Sequence, residues 1–382
     1  MPECENPLWP CAMTGAAACL AGFRGLNVVI HGSSGCYYYP ATLLHAPLHG
    51  TFILEHEVIF GSEERLKTVI DGLAGNGDRI AVITTCVPSI LGEDIKSMLS
   101  DYDVILVDSP GFAGDIEVGY KAALSTLAPT VDPDRPGINI DGASLFDPFS
   151  AGNVQEVTRM LAKASVPVGT VFADDALSRC WHATKHTIGT NEDFPSGVGT
   201  YLGGTLGFEA LKPTLNRIAA ACDTADIDPV LAEIGHEQER VIHACDKYLR
   251  RFDPPSAAIF AGASYARFAA ESLARYLDAD VRFVGTRNEP AAFSCPSGQV
   301  TGLEQVSREI ERAAPDLVIG SSFERSVSGG RAFVGIIPPL RGSVRLSYPA
   351  LAGTGGTLSF IENVLNACMD RNPARKPAPA DP

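Results

Sequence analysis

The chain has 382 residues, 45% hydrophobic and 20% charged, the balance of a globular protein with a large core rather than of a disordered or fibrous one. Its 45 acidic against 30 basic side chains give a formal net charge of -15, which argues against affinity drawn from nucleic-acid phosphates. No apolar run reaches the roughly 18 to 20 residues of a membrane helix, and "MPECENPLWPC" lacks the regions of a signal peptide, so a cytoplasmic protein with no nucleic-acid or membrane partner is expected.

In chain order, "NPLWPCAMTGA" comes first: Pro7 and Pro10 hold an irregular lead-in to Cys11, and a small-residue helix, "TGAAACLAGF", follows. The apolar strand "LNVVIHG" then runs into "HGSSGC", where Gly32 and Gly35 are expected to turn the backbone sharply and deliver Cys36 ahead of Tyr37, Tyr38 and Tyr39. "DRIAVITTC" repeats the pattern with Cys86. After it, "VPSILGEDI" is expected to open a helix carrying Glu93 and Asp94 in its early turns, where negative charge suits the helix dipole.

Further strand-like runs are "YDVILVDSPG", "INIDGASLF", "VPVGTVFA", "SAAIFAG", "ADVRFVG" and "PDLVIGSS". Short apolar strands alternating with helical patterns predict an α/β protein built of parallel sheets covered on both faces. Pro- and Asp-rich breaks at "TLAPTVDPDRPG" and "RRFDPPS" divide the chain into an expected cluster-binding domain over residues 1–130, a second α/β domain over 131–254 and a third over 255–370. The polar, Pro-rich residues 371–382 read as a disordered tail.

Ten cysteines in a reducing compartment point to free thiols or metal ligands rather than disulfides. Cys11, Cys36 and Cys86 share a setting that the other seven lack, at strand ends and helix starts where a parallel sheet brings distant residues together. A thiolate site there would suit an iron–sulfur cluster, zinc or copper. Each cysteine taken singly is also readable as a small buried hydrophobe. The paired C-x-x-C spacing of structural zinc is absent, and "HGSSGC" lacks the Lys-Ser/Thr ending of a phosphate loop.

These three segments, in this order, resemble those of the component 1 subunits of nitrogenase and their relatives. The likeness continues through "SPGFAGDIEVGYKAAL", "GINIDGASLFDP", "FPSGVGTYLGG", "VIGSSFER" and "IIPPLRGSVRLSYPALAGTGGTLSFIENVLNA". The resemblance implies three Rossmann-like α/β domains, with parallel sheets flanked by helices. It implies pairing with a second copy or a homologous subunit, and an iron–sulfur cluster at or near that interface. Electrons would arrive from a separate ATP-hydrolysing iron protein.

Carried over residue by residue, Cys11, Cys36 and Cys86 are the cluster thiolates. Gly32 and Gly35 would bring backbone close to the cluster, and Tyr37 to Tyr39 would shield it, line the interface or simply pack. Some family subunits carry a serine in the "GFAG" segment. Gly111 beside Phe112 offers no hydroxyl at that place, so a 4Fe-4S cluster is expected rather than an eight-iron one. Its fourth ligand would come from the partner, or from Cys4 or Cys19.

The cysteine and histidine that anchor the catalytic cofactor of nitrogenase have no counterpart near "TIGTNEDFPSG" and "PALAGTGG", which argues against dinitrogen reduction. The expected activity is that of a nitrogenase-like oxidoreductase acting on a small molecule, for instance a tetrapyrrole as in F430-type cyclization, whose propionates would call for Arg or Lys. A carbon–sulfur bond reductase, and a non-catalytic cofactor-assembly scaffold or electron-relay subunit, are the alternatives. Proton donors would come from Asp174, Asp175, Glu192, Asp193 or His182. Cys180, His182 and His186 form a further candidate metal trio, with the two histidines expected on one face of a helix, and Cys295 is a further loop cysteine. Cys222, Cys245 and Cys368 read as core.

Overall fold

The computed structural model describes residues 6–371 apart from 76, 289, 290, 343 and 345. Cys4 and the expected tail from residue 372 onward therefore lie outside the described residues.

Three parallel sheets make up the fold. The first comprises β1 (Leu26–His31), β2 (His49–Gly50), β3 (Arg79–Thr84) and β4 (Val104–Asp108), in the order β2-β1-β3-β4. With it go α1 (Ala12–Leu20), α2 (Ser34–Leu44), α3 (Glu55–Phe60), α4 (Glu63–Leu73), α5 (Cys86–Leu91), α6 (Ile95–Met98) and α7 (Ile116–Leu127).

The second sheet has the order β6-β5-β7-β8, from β5 (Ile138–Asp141), β6 (Val168–Val171), β7 (His186–Gly189) and β8 (Thr200–Gly204). Its helices are α8 (Ser150–Lys163), α9 (Gly207–Ala221) and α10 (Asp228–Leu249). The third joins β9 (Ser256–Ala261), β10 (Asp280–Thr286), β11 (Ser297–Gln299), β12 (Leu317–Gly320) and β13 (Ala332–Gly335) in the order β11-β10-β9-β12-β13. It carries α11 (Ala263–Leu277), α12 (Leu303–Ala313), α13 (Ser322–Val327) and α14 (Gly353–Arg371).

The apolar runs explain the strands. Residues 80 to 84 of β3 and all of β9 and β12 are buried, as strands covered by helices on both faces must be. Each sheet starts in its middle and builds outward to both edges, the doubly wound pattern that collects ligands at the carboxyl ends of the strands. One continuous core runs from Leu20 and Ile30 through Phe208 and Leu215 to Ile259 and Phe360. Helix α14 closes the chain by packing on α8, α9, α10 and β13.

Helix α1 is buried along its whole length because its small residues let it lie flush on α7. A Cβ on Gly15 would fall 1.8 Å from the Ile116 carbonyl oxygen, and one on Gly119 would fall 1.6 Å from that of Ala12. The two backbones touch, and no side chain larger than hydrogen fits at either point.

Three local expectations differ from what forms. Gly35 is not a sharp turn: it lies in the first turn of α2 without a left-handed φ. "VPSILGEDI" gives two short helices, because Gly92 at φ 69° ends α5 and Asp94 restarts the chain as the N-cap of α6, accepting from Ser97 N at 3.1 Å. His182 and His186 share no helix. The first ends a 3-10 turn, Leu177–His182, and the second begins β7, because the Asn139 side chain bonds Thr184 O at 2.8 Å and Thr187 Oγ1 at 3.1 Å and draws the segment into the sheet. Among the described residues no helix is long and apolar enough to cross a membrane.

Candidate functional site

Each of the three cysteines stands at the start of a helix. Cys11 is the N-cap of α1, Cys36 lies in the first turn of α2, and Cys86 is the first residue of α5, directly after β3 and Thr85. Cys11 is pinned by an antiparallel bridge to Asp115 and by the bond from Ala12 N to Gly114 O at 2.8 Å, which ties it to the turn after β4. In that turn Gly111 N donates to Cys86 Sγ at 3.1 Å.

Gly111 is the point of convergence. A Cβ built on it would lie 3.1 Å from Cys86 Sγ and 3.2 Å from Cys11 Sγ, so the two sulfurs are no further apart than the sum of these distances. The third thiol is close enough to feel both. Burial pushes the Cys36 thiol up, a hydrogen bond from Ser33 Oγ at 3.7 Å opposes the rise, and the neighbouring Cys86 and Cys11 add to it. The Thr85 hydroxyl approaches Cys36 and also opposes the rise, yet it falls short of ordinary geometry: among the described residues its buried Oγ1 has no hydrogen-bond partner.

The surroundings suit a thiolate-held inorganic group. The backbone N–H groups at the start of α1 and α2 and the Gly111 N–H favour negative sulfur. All nine described cysteines are free, so no disulfide competes. Among the described residues, no three His, Cys, Asp or Glu side chains gather closely enough to hold a single metal ion.

A buried polar set holds these loops. His31 Nδ1 meets Thr51 Oγ1 at 3.2 Å and its Nε2 meets Ser62 Oγ at 3.1 Å, while Ser62 Oγ donates to Glu93 at 2.7 Å. Burial lowers the His31 pKa against the pull of Glu93. Gly32 is required by a close approach, since a Cβ there would lie 1.9 Å from Thr85 Oγ1. The cysteine-bearing elements also display apolar side chains to solvent: Tyr38 and Tyr39 on α2, Ile90 and Leu91 on α5, and Phe112 beside Gly111.

The remaining candidates are placed elsewhere. Cys19 is fully buried in α1, its thiol pushed well up by burial and then by Cys180 and Asp141, which makes it a core residue rather than a fourth ligand. Cys180 is buried, Cys245 and Cys368 lie in the core of α10 and α14, and Cys222 packs against that core at the end of α9. Asp175 is held by Arg24 at 3.3 Å and Arg179 at 2.9 Å. Asp193 accepts from Ser264 N at 3.1 Å and Asn288 Nδ2 at 3.0 Å, joining the second and third sheets.

A cavity of about 360 Å³ opens at the carboxyl ends of β5 and β7, lined by Asp141, Asn191, Glu192 and Tyr201 among others. The described residues lining it include no Cys, His, Lys or Arg. Sequence reading passed over Gly111 as a contact and Glu117 altogether. Glu117 looks like an ordinary acidic residue in the first turn of α7, and only the fold closes Trp9 over it.

Comparison with known proteins gives one consistent picture. The family model described as nitrogenase component 1 type oxidoreductase matches residues 11–184 and 196–369. The nitrogenase iron-molybdenum cofactor biosynthesis protein NifE of Clostridium pasteurianum is 25% identical, over 72% of this chain and 68% of its own length. The nitrogenase molybdenum-iron protein beta chain of Bradyrhizobium diazoefficiens is 29% identical, over 45% of this chain and 38% of its own length, so the chain spans well under half of that relative. A solved structure, nitrogenase Cp1 at pH 6.5, superposes with a TM-score of 0.81 at 16% identity, covering 96% of this chain and 93% of the other, a likeness of fold.

Proposed function

Because this chain belongs to the nitrogenase component 1 type oxidoreductases, we propose that it is the iron–sulfur subunit of a nitrogenase-like reductase, taking electrons from an ATP-hydrolysing iron protein and passing them to a bound small molecule. The observation that carries this reading is the approach of both Cys11 and Cys86 to Gly111, with Cys36 near enough for its thiol to respond to both. Free thiols of this kind suit a reducing cytoplasm.

Cys11, Cys36 and Cys86 would hold the cluster as thiolates, and the Gly111 N–H would stabilize the charge on Cys86. When bound, the cluster supplies one-electron storage at a potential set by thiolate ligation, hydrogen bonds and solvent access. Gly111 brings no side chain of its own to the sulfurs, which favours a 4Fe-4S cluster with its fourth ligand from outside this chain. Tyr38, Tyr39, Ile90, Leu91 and Phe112 expose apolar side chains on the elements next to the thiols, of the kind that a paired subunit covers. For the substrate, the cavity beside Asp141 and Tyr201 favours a small molecule without carboxylates, since propionates of a tetrapyrrole would meet no Arg or Lys among the described residues lining it.

The test is iron and sulfide content after anaerobic purification. Cys36→Ala is expected to lose iron while its thermal unfolding stays near that of the unchanged chain; full iron in the variant overturns the assignment. A second reading, a cofactor-assembly scaffold, is favoured by the longer match to the cofactor biosynthesis protein NifE than to the beta chain. Incubation with an iron protein and ATP separates the two: turnover of a substrate supports the reductase, whereas transfer of a bound cluster to an acceptor protein supports the scaffold.

A further inference from the structure

Hydrogen bonds and ring contacts link the loops leaving β4, β5, β7, β9 and β10 beside the thiol site, and Glu117 lies among them. Glu117 lies in the first turn of α7, two residues after Asp115, whose backbone pairs with Cys11. Trp9 Nε1 donates to its Oε1 at 2.9 Å, and Trp9 packs edge-on against Phe146 at 5.1 Å. The residue as a whole is half-buried, but Glu117 Oε2 is shut off from solvent and has no hydrogen-bond partner among the described residues.

Among the described residues, the charged groups that shift it include no cation. Asp193 from the β7–β8 connection and Asp115 at the head of α7 are both acidic. Asn6 bridges Asp115 Oδ2 at 3.2 Å and Arg287 O at 2.7 Å, and its own Oδ1 is likewise buried without a partner. The Arg287 guanidinium is engaged by Glu324 and by Val300 O. A carboxylate with one satisfied oxygen, one bare oxygen and two acidic neighbours is costly in such a place. Burial, then Asp193 and more weakly Asp115, raise the Glu117 carboxyl to about 8 against the opposing Trp9 bond and the residue's own backbone N–H.

We propose that Glu117 is the proton-exchanging residue of this junction, holding its proton more tightly when an electron enters the thiol site and less tightly when the electron leaves. The inference rests on the cluster reading above. In balance, protons are exchanged only where part of Glu117 is ionized, just above pH 8. There one electron from the iron protein is accompanied by up to one proton from water, the O–H bond forms on the ionized fraction, and it breaks again as the electron moves on. At neutral pH the group is already mostly the neutral acid. The physical link is direct: added negative charge on the Cys11 side of α7 strengthens proton binding at Glu117, by about one pH unit for charges roughly 10 Å apart at an effective dielectric constant of about 20.

The test has two arms. The chain has two tryptophans, so in a Trp181→Phe background Trp9 fluorescence reports on Glu117 directly. A transition with midpoint near 8 is expected, and it should vanish in Glu117→Gln, which keeps the acceptor for Trp9. A midpoint between 4 and 5, or a transition that persists in the variant, overturns the proposal.

In the second arm the chain is loaded with iron and sulfide and its reduction potential is followed from pH 6 to pH 10. The potential should fall as the pH rises from about 8 to about 9 in the unchanged chain, level on either side, and should be flat throughout in Glu117→Gln. Iron uptake with a pH-independent potential overturns this inference alone, whereas failure to take up iron removes the cluster reading and this inference with it.

Discussion

Gly111 donates its N–H to Cys86 Sγ at 3.1 Å, and the side-chain position it leaves empty lies at nearly equal distances from that sulfur and from Cys11 Sγ. Glycine is needed here for space rather than for backbone conformation, since its φ is not in the left-handed region.

Gly111→Ala places a methyl group between two sulfurs. The variant is expected to fold, with a melting temperature near that of the unchanged chain, and to bind less than half as much iron. Iron analysis beside a thermal melt checks this.

The α1–α7 contact gives a different outcome. In Gly119→Ala the new methyl meets the Ala12 carbonyl oxygen, backbone that cannot move without displacing the whole helix. Overpacking of this kind costs about 1 to 3 kcal/mol or more. A lowered urea midpoint, together with lost iron because Cys11 sits at the head of α1, is the expected result.

The buried carboxylates set a pH dependence. Burial raises the Asp147 carboxyl to about 6, outweighing its bonds from Tyr265, Phe149 N and Asn191. Its folded value lies above the unfolded value of 3.8, so the folded state binds the proton more tightly. The contribution to stability is complete below about pH 4 and is lost as the pH rises through about 6. Relative to the unchanged chain, Asp147→Asn should therefore gain on the order of 2 to 3 kcal/mol between pH 3 and pH 7, read from urea unfolding at each pH. A difference that stays constant over that range contradicts the assignment.

The exposed apolar face makes a prediction about association. Ile90 is 60% exposed and Leu91 43% exposed on the helix that begins with Cys86. Ile90→Asp should shift the chain toward monomer in light scattering without changing its melting temperature by more than a few degrees. An unchanged molar mass would place the pairing surface elsewhere.

The strands legible in the sequence are those written as short apolar runs, whether central like β1, β3, β5 and β9 or at a sheet edge like β4 and β6. β1, β3, β4, β5, β6, β9, β10 and β12 announce themselves as short apolar runs. The edge strands β2 and β11 have two and three residues, and β7 opens with His186 and Thr187, so none of these carries such a signal. The segment holding Cys180, His182 and His186 illustrates the limit: its spacing suits a helix, but Asn139, 45 residues earlier, decides its form through bonds that no local window contains. The cysteine loops were legible because each follows a strand or opens a helix. Glu117 was not, because what sets its chemistry is Trp9 from one end of the chain and Asp193 from another sheet.

The contact of α1 with α7 has one more consequence. Because backbone touches backbone at Gly15 and Gly119, the stretches bearing Cys11 and Gly111 behave as a single stiff bracket, with no compressible side chains between them. The position of the Cys11 sulfur against the Gly111 turn is thus set by backbone packing before any inorganic guest arrives. Loading the site should then demand little rearrangement on that side, leaving whatever adjustment is needed to the α2 arm that carries Cys36.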